Sequence, residues 1–222
     1  MKNKTLITAH TGADKLPDNS LEFVRYAAAS AADAFEIDIR KKPDGELVLA
    51  HDLDGREVPT LREAFEIAKS NPRIKINCDL KNGGLELDVL EIVREFGFEG
   101  RIIYSGSVGV DVLREHPEIQ EAVEIYLNLE AYVKDLYDKF RDISDFDVTA
   151  AEEIIDICKK YGIRVVNSNY KVLTERFIKT LRDNGIGVSA WTVNEYEDAA
   201  RLISLEAENL TTRSLSMVME RF

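Results

Sequence analysis

Cysteine is scarce: Cys78 and Cys158 are the only two in 222 residues. Two thiols make no disulfide framework, and neither sits in a CxxC pair or a Cys/His zinc spacing. No apolar run approaches the roughly eighteen residues that a spanning helix needs, so stable membrane insertion is not expected. The apolar part of the opening "MKNKTLITAHTG" is too short for a secretory signal. "NLT" at Asn209 therefore reads as a chance match to a glycosylation sequon. Positive charge is also in short supply, with 29 Lys+Arg against 41 Asp+Glu and a net charge of −12. That balance works against nucleic acid and anionic membranes as partners. It leaves room for a small anionic substrate, because a metal ion reverses the potential inside one cleft. The expectation is a soluble cytoplasmic protein, residues 1–222 forming one domain with a sizeable core. Oligomeric state stays open.

What the sequence does have is alternation. Nine short runs rich in Ile, Val and Leu recur along the chain: 5–9, 34–39, 47–50, 74–80, 101–105, 124–129, 164–168, 187–193 and 209–212. Each has strand length. Helical patterns lie between them, with start and stop signals. Thr60-Leu61-Arg62-Glu63 is a capping box, and Asn194 with Glu197 has a similar form with Asn as the cap. Gly97, Gly162 and Gly185 stand where a left-handed residue ends a helix. Only Ala34–Ile39 and Leu47–Ala50 have no helix between them. Pro43-Asp44-Gly45 is a turn signal, so these two should form a hairpin. Eight strand–helix units remain, which fits a (β/α)8 barrel with an extra hairpin strand after strand 2. A doubly wound sheet is the alternative. Residues 131 to 153 read as two helices, or one helix and a loop.

The second run, "FEIDIRKKPDGELVLAHD", carries unusual charge. Strand side chains alternate faces, so Glu36 and Asp38 point the same way. Asp79 and Lys81 repeat that spacing in "INCDLK", with Cys78 turned to the helix layer. If both strands face inward, three carboxylates converge near the C-terminal barrel face, where barrel enzymes keep their sites. Hard cations such as Mg²⁺ or Ca²⁺ bind oxygen sets of this kind and leave positions for a substrate phosphate. The bland alternative has Glu36 and Asp38 on a solvated face, paired with Arg40, Lys41 or Lys42. Two of the three histidines, His10 and His51, also end strands, whereas His116 reads as a helix-end surface residue. A histidine titrates near neutrality and serves as general acid or base, though a single strand-end histidine is more often a structural hydrogen-bonder.

The pattern "AHTG…LPDNSLEFVRYAAAS…AFEIDIRKKPDGELVLAHD" resembles the glycerophosphodiester phosphodiesterase family, whose members carry A-H-R-G, P-E-N-T-L-E-A-F, G-A-D-x-I-E-x-D-V and D-G-x-x-V-x-H-D. "INCDLK" stands at the family's Glu-x-Lys strand, and "WTVN" at 191–194 matches well. The resemblance implies a (β/α)8 phosphoric diester hydrolase of lipid metabolism with one divalent metal, taking a small-molecule phosphodiester to an alcohol and glycerol phosphate. By position it implies catalytic His10 and His51, metal ligands Glu36, Asp38 and Asp79, and a phosphate-contacting Lys81. Trp191 would pack against the substrate alcohol or belong to the core. The sequence does not assign acid and base between the histidines.

Departures from the pattern are specific. The family arginine after the first histidine is Thr11 here, at a substrate-binding position, and threonine offers no bidentate fork to phosphate. The family's P-E-N-T is Pro17-Asp18-Asn19-Ser20, its third ligand is Asp79 in place of Glu, and its late Thr-Asp is Thr212-Arg213. Forty residues stand between Asp38 and Asp79, fewer than in many members, so a more open pocket is expected. Arg213, at the end of the last strand beside the first, is a candidate to replace the missing clamp; the alternative is a solvent-facing arginine. Alternatives for function are shifted specificity of the lysophospholipid or glycerophosphoinositol type, a barrel that binds a phosphorylated ligand without catalysis, and an unrelated barrel enzyme.

Overall fold

A computed structural model describes residues 5–133, 135 and 148–222. Among these, nine strands form one sheet: β1 (Leu6–Ala9), β2 (Ala34–Lys41), β3 (Leu47–Leu49), β4 (Lys75–Leu80), β5 (Ile102–Gly106), β6 (Glu124–Asn128), β7 (Val165–Asn169), β8 (Gly187–Trp191) and β9 (Asn209–Thr212). Eight are parallel and close on themselves, because β1 pairs with both β2 and β9. β3 lies outside the closed ring, antiparallel to β2. Its turn is tight: Gly45 takes φ +95° and its N–H donates to the Lys42 carbonyl at 2.9 Å. The fold is the (β/α)8 barrel with the extra hairpin strand.

Alternation along β2 sorts the chain into core and site. Phe35, Ile37 and Ile39 face the helix layer and are fully buried there. Glu36 and Asp38 occupy the other face. β4 repeats the division, with Ile76, Cys78 and Leu80 in the core. The register sets Glu36 beside Asn77 and Asp38 beside Asp79. Burial of each large apolar side chain contributes about 1.5–3 kcal/mol, so a one-residue slip that exchanged the two faces is strongly disfavoured. Both cysteines are free and buried.

The helices form where their signals stand. Ser20 Oγ accepts from Phe23 N at 3.1 Å and opens Leu21–Ala29, which buries Phe23 edge-on to Phe35. Thr60 and Glu63 make the reciprocal capping box of Leu61–Ala68, a device of roughly 1 kcal/mol. Gly97, Gly162 and Gly185 are left-handed, at φ +67°, +67° and +78°. Asn194 departs from expectation. Glu195 is the N-cap of Tyr196–Ser204 and makes no side-chain cap bond, while Asn194 Oδ1 accepts from Arg213 N at 2.9 Å. The amide ties two loops together instead of capping a helix. Of the stretch 131–153, residues 134 and 136–147 lie outside the described residues; a short 3-10 turn, Leu129–Ala131, precedes them and the helix Val148–Tyr161 follows. No helix among the described residues is long and apolar enough to cross a membrane.

Candidate active site

The C-terminal ends of the barrel strands surround a cavity of about 780 Å³. Glu36, Asp38 and Asp79 share its wall, each offering an oxygen within 4.8 Å of the others. Lys81 Nζ lies 2.8 Å from Asp38 Oδ1 and 2.6 Å from Asp79 Oδ2. Burial opposes the Lys81 charge, but the Asp79 and Asp38 carboxylates outweigh it and hold the ammonium well above the usual lysine range. Glu36 responds the other way. Burial first, then the Asp38 and Asp79 charges, push its carboxyl well above the ordinary value, and Lys81 only partly offsets them.

One lysine does not balance three carboxylates, two of them buried and the third half-buried, and Asp79 Oδ1 has no protein hydrogen-bond partner among the described residues. The last residue of β5 accommodates that atom. Gly106 has φ +78°, and a Cβ there would come within 2.0 Å of Asp79 Oδ1. An uncompensated all-oxygen cluster with an orphaned carboxylate oxygen fits a hard divalent cation. Asp38 is held from behind: Asn19 Nδ2 donates to Asp38 Oδ2 at 2.7 Å, and Asn19 Oδ1 accepts from Asp38 N at 3.0 Å. Asn19 itself has φ +52°, a left-handed conformation that asparagine tolerates better than most residues.

The two histidines line the same cavity. His10 Nδ1 donates to the Thr11 carbonyl at 2.8 Å, since a carbonyl can only accept; the neutral ring therefore keeps its lone pair on Nε2. Burial lowers the His10 pKa, the Thr11 bond works against this, and Arg213 adds to the lowering. His51 is 68% exposed at its side chain, and its Nδ1 donates to Asp52 Oδ2 at 2.8 Å. Arg40, on the same face of β2 as Glu36 and Asp38, donates through Nε to the His51 carbonyl at 2.6 Å and reaches Asp52 at 3.2 Å. Three alternate positions of one strand thus supply two carboxylates and the brace of the histidine loop. His116 lies apart, at the C-cap of Val110–Glu115, 3.1 Å from Glu118.

The remaining candidates divide. Trp191 and Arg213 are on the cavity wall. Arg213 pairs with Asp18 at 2.9 Å, and both keep about half their exposure at the open mouth. Thr11 is not on that wall. It is buried, its N–H donates to Glu36 Oε2 at 3.2 Å, and its hydroxyl accepts from Asn19 N at 2.6 Å. Thr11 was expected at the substrate; in this structure its backbone and side chain instead bond Glu36 and Asn19 behind the carboxylates. Asn19, Asp52 and Arg40 were not legible as site residues from spacing. The polar wall of Asn128, Glu130 and Asn167 was missed as well, because single amides in strand runs, and a lone glutamate in the turn after β6, carry no motif.

The sequence profile of the glycerophosphoryl diester phosphodiesterase family matches residues 53–214. A glycerophosphodiester phosphodiesterase of Caldanaerobacter subterraneus subsp. tengcongensis is 24% identical over an alignment of 261 residues that covers 94% of each chain. Among solved structures, a putative glycerophosphoryl diester phosphodiesterase from Agrobacterium tumefaciens superposes with a TM-score of 0.78 at 15% identity, covering 98% of this chain and 97% of that one. A phosphodiesterase from Oleispira antarctica, solved with the product sn-glycerol-3-phosphate, gives 0.73 at 16% identity and covers 98% of this chain and 96% of its own.

Proposed function

The chain belongs to the glycerophosphoryl diester phosphodiesterase family and is a phosphoric diester hydrolase; we propose that it releases an alcohol and glycerol phosphate by histidine acid–base catalysis beside one divalent ion. The observation that carries this reading is the convergence of Glu36, Asp38 and Asp79 with His10 and His51 on one cavity. Glu36, Asp38 and Asp79 hold the ion. A hard cation there supplies Lewis-acid polarisation of a phosphoryl oxygen.

The protein's own groups do the rest. Burial favours the neutral form of His10, and its Nε2 lone pair takes a proton from the attacking water, whose oxygen bonds to phosphorus as the bond to the alcohol oxygen breaks. His51, oriented by Asp52 and Arg40, delivers a proton from Nε2 to the leaving alkoxide. Lys81 presents its ammonium to the phosphoryl charge that grows in the transition state. Arg213 is the only arginine among the described lining residues, and it follows β9, the neighbour of β1. It meets the phosphate that an arginine at position 11 does not, with Asp18 holding the fork between turnovers. Arg213→Ala then raises KM about tenfold while kcat changes less, consistent with lost ground-state binding.

The direct test is product analysis. The purified chain, given glycerophosphocholine and Mg²⁺ or Ca²⁺, forms glycerol phosphate and choline. Formation of no glycerol phosphate with any divalent ion, from a folded chain, overturns the reading.

A further inference from the structure

The loop that follows His10 adopts a backbone that its sequence does not favour. Asp14 has φ +52° and Lys15 φ +68°, two consecutive left-handed residues of which neither is glycine. A residue held in this way costs about 1–3 kcal/mol and persists only where its surroundings impose it. Asp14 is held through both its side chain and its backbone. Its carboxylate accepts from Ser216 N at 3.1 Å, from Ser216 Oγ at 2.7 Å and from the Tyr26 hydroxyl. Its own N–H donates to the Arg213 carbonyl at 2.8 Å.

These bonds join the first loop of the barrel to its last helix. Ser216 is the second residue of that helix, Leu215–Arg221, so its N–H has no partner inside the helix. The N-cap residue, Ser214, makes no side-chain cap bond. Asp14 supplies the cap in its place, from 202 positions away in sequence. Arg213 directly precedes the capped end. Its N–H donates to Asn194 Oδ1 at 2.9 Å, and its carbonyl takes the Asp14 N–H. Its guanidinium meets Asp18 at 2.9 Å on the cavity wall. Both backbone polar groups of Arg213 are therefore clamped, one of them by Asp14.

We propose that Asp14 is a positioning residue for the reaction: by fixing the backbone that carries Arg213, it aims the guanidinium at the substrate phosphate. The inference rests on the phosphodiesterase reading above, with Arg213 as its phosphate clamp. The competing account is a helix cap alone, which holds the end of the chain and leaves the site indifferent. The geometry favours positioning because Arg213 stands between the cap and the cavity. A long side chain amplifies a small backbone shift at its root. The Arg213 side chain is 42% exposed, so little packing around it restores the aim. His10 is anchored apart from Asp14, its N–H donating to the Thr212 carbonyl at 2.8 Å. Loss of Asp14 is thus felt at Arg213 and not at His10.

The test reads KM against kcat for a phosphodiester with Mg²⁺ in a set of variants. Asp14→Ala removes the carboxylate and disfavours positive φ, so the N–H leaves the Arg213 carbonyl. It raises KM about three- to tenfold, at most the loss seen in Arg213→Ala, and leaves kcat within about twofold. In the Arg213→Ala background it changes KM by less than about twofold, because a residue that acts through another does not add to its loss. Asp14→Asn keeps an acceptor for the Ser216 N–H and tolerates a left-handed backbone, and it restores KM towards wild type. Should Asp14→Ala not fold, Asp14→Gly replaces it: glycine takes positive φ freely, and KM still rises because the anchor is gone. A second readout needs no turnover. The Arg213 Nε–H signal in a nitrogen–proton NMR spectrum, identified by its loss in Arg213→Ala, moves or broadens in Asp14→Ala and stays in place in Asp14→Asn. An unchanged KM in Asp14→Ala, or a rise that adds in full to that of Arg213→Ala, overturns the proposal and leaves only a cap. No turnover of any diester, or an unchanged KM in Arg213→Ala, overturns the reading above instead. The NMR signal then decides Asp14 alone: a signal that Asp14→Ala leaves in place overturns its role.

Discussion

Asn19 grips Asp38 at both ends, donating from its amide nitrogen to Asp38 Oδ2 at 2.7 Å and accepting from Asp38 N at 3.0 Å. Thr11 completes the brace, its hydroxyl receiving the Asn19 N–H. A carboxylate among other carboxylates is expected to turn away from them, and this pair of bonds holds Asp38 in place. Residues behind a metal ligand commonly set its affinity by about 10–100-fold. Asn19→Ala should weaken Mg²⁺ or Ca²⁺ binding by that order, seen by calorimetric titration, and high metal should restore much of kcat. Unchanged metal affinity would remove Asn19 from this role.

The histidines should separate by leaving group. His10→Ala lowers kcat by about 10²–10⁴-fold for every diester, because the base is needed whatever leaves. His51→Ala costs as much with glycerophosphocholine but far less with a nitrophenyl diester, whose leaving group needs no proton. Asp52→Asn follows His51→Ala in this pattern with a smaller loss. Equal sensitivity of both histidine variants to the leaving group would contradict the assignment.

Much of this was legible in the sequence, and the reasons are physical. Glu36 and Asp38 could be read because a two-residue period places them on one face, opposite Phe35, Ile37 and Ile39. The hairpin could be read because Pro43-Asp44-Gly45 permits no helix there. The place of Thr11 was not legible, because a position beside His10 at a strand end reads as a cavity position, whereas its side chain turns behind Glu36 to meet Asn19. Asn194 was read as a helix cap, but its side chain bonds the backbone of Arg213, nineteen residues on. Such partners are set by barrel closure, which no local pattern encodes.

Glu36 should make stability, and the binding of a cation at the carboxylate cluster, pH-dependent. Its folded pKa lies well above the ordinary 4.5, chiefly from burial and then from Asp38 and Asp79. Between the unfolded and the raised folded pKa, the folded chain binds the extra proton, so this contribution to stability falls as pH rises through that window. A cation relieves the same repulsion and competes with that proton. Excess Mg²⁺ should therefore raise the melting temperature over a chelator control more at about pH 8 than at about pH 5. Glu36→Gln should shrink the difference between the two pH values. An equal metal-induced shift at both would contradict this linkage.

Gly106 has no room for change. A Cβ would meet Asp79 Oδ1 at 2.0 Å and the Leu80 carbonyl at 2.5 Å, on a backbone with φ +78°. Gly106→Ala should cost about 1–3 kcal/mol for the backbone conformation alone, read by denaturant unfolding. It should also weaken metal binding by displacing Asp79. Wild-type stability and metal affinity in this variant would show that the end of β5 relaxes freely.

The central claim is that Glu36, Asp38 and Asp79 hold the ion on which diester hydrolysis depends. The most direct test measures turnover of a phosphodiester against free metal concentration, beside the Kd of the same metal measured by titration, for the wild-type chain and for Asp79→Asn. Coincident midpoints that move together to higher metal in the variant, with no turnover in chelator, are the predicted result. Turnover that persists in chelator, or a midpoint that Asp79→Asn leaves in place, would contradict it.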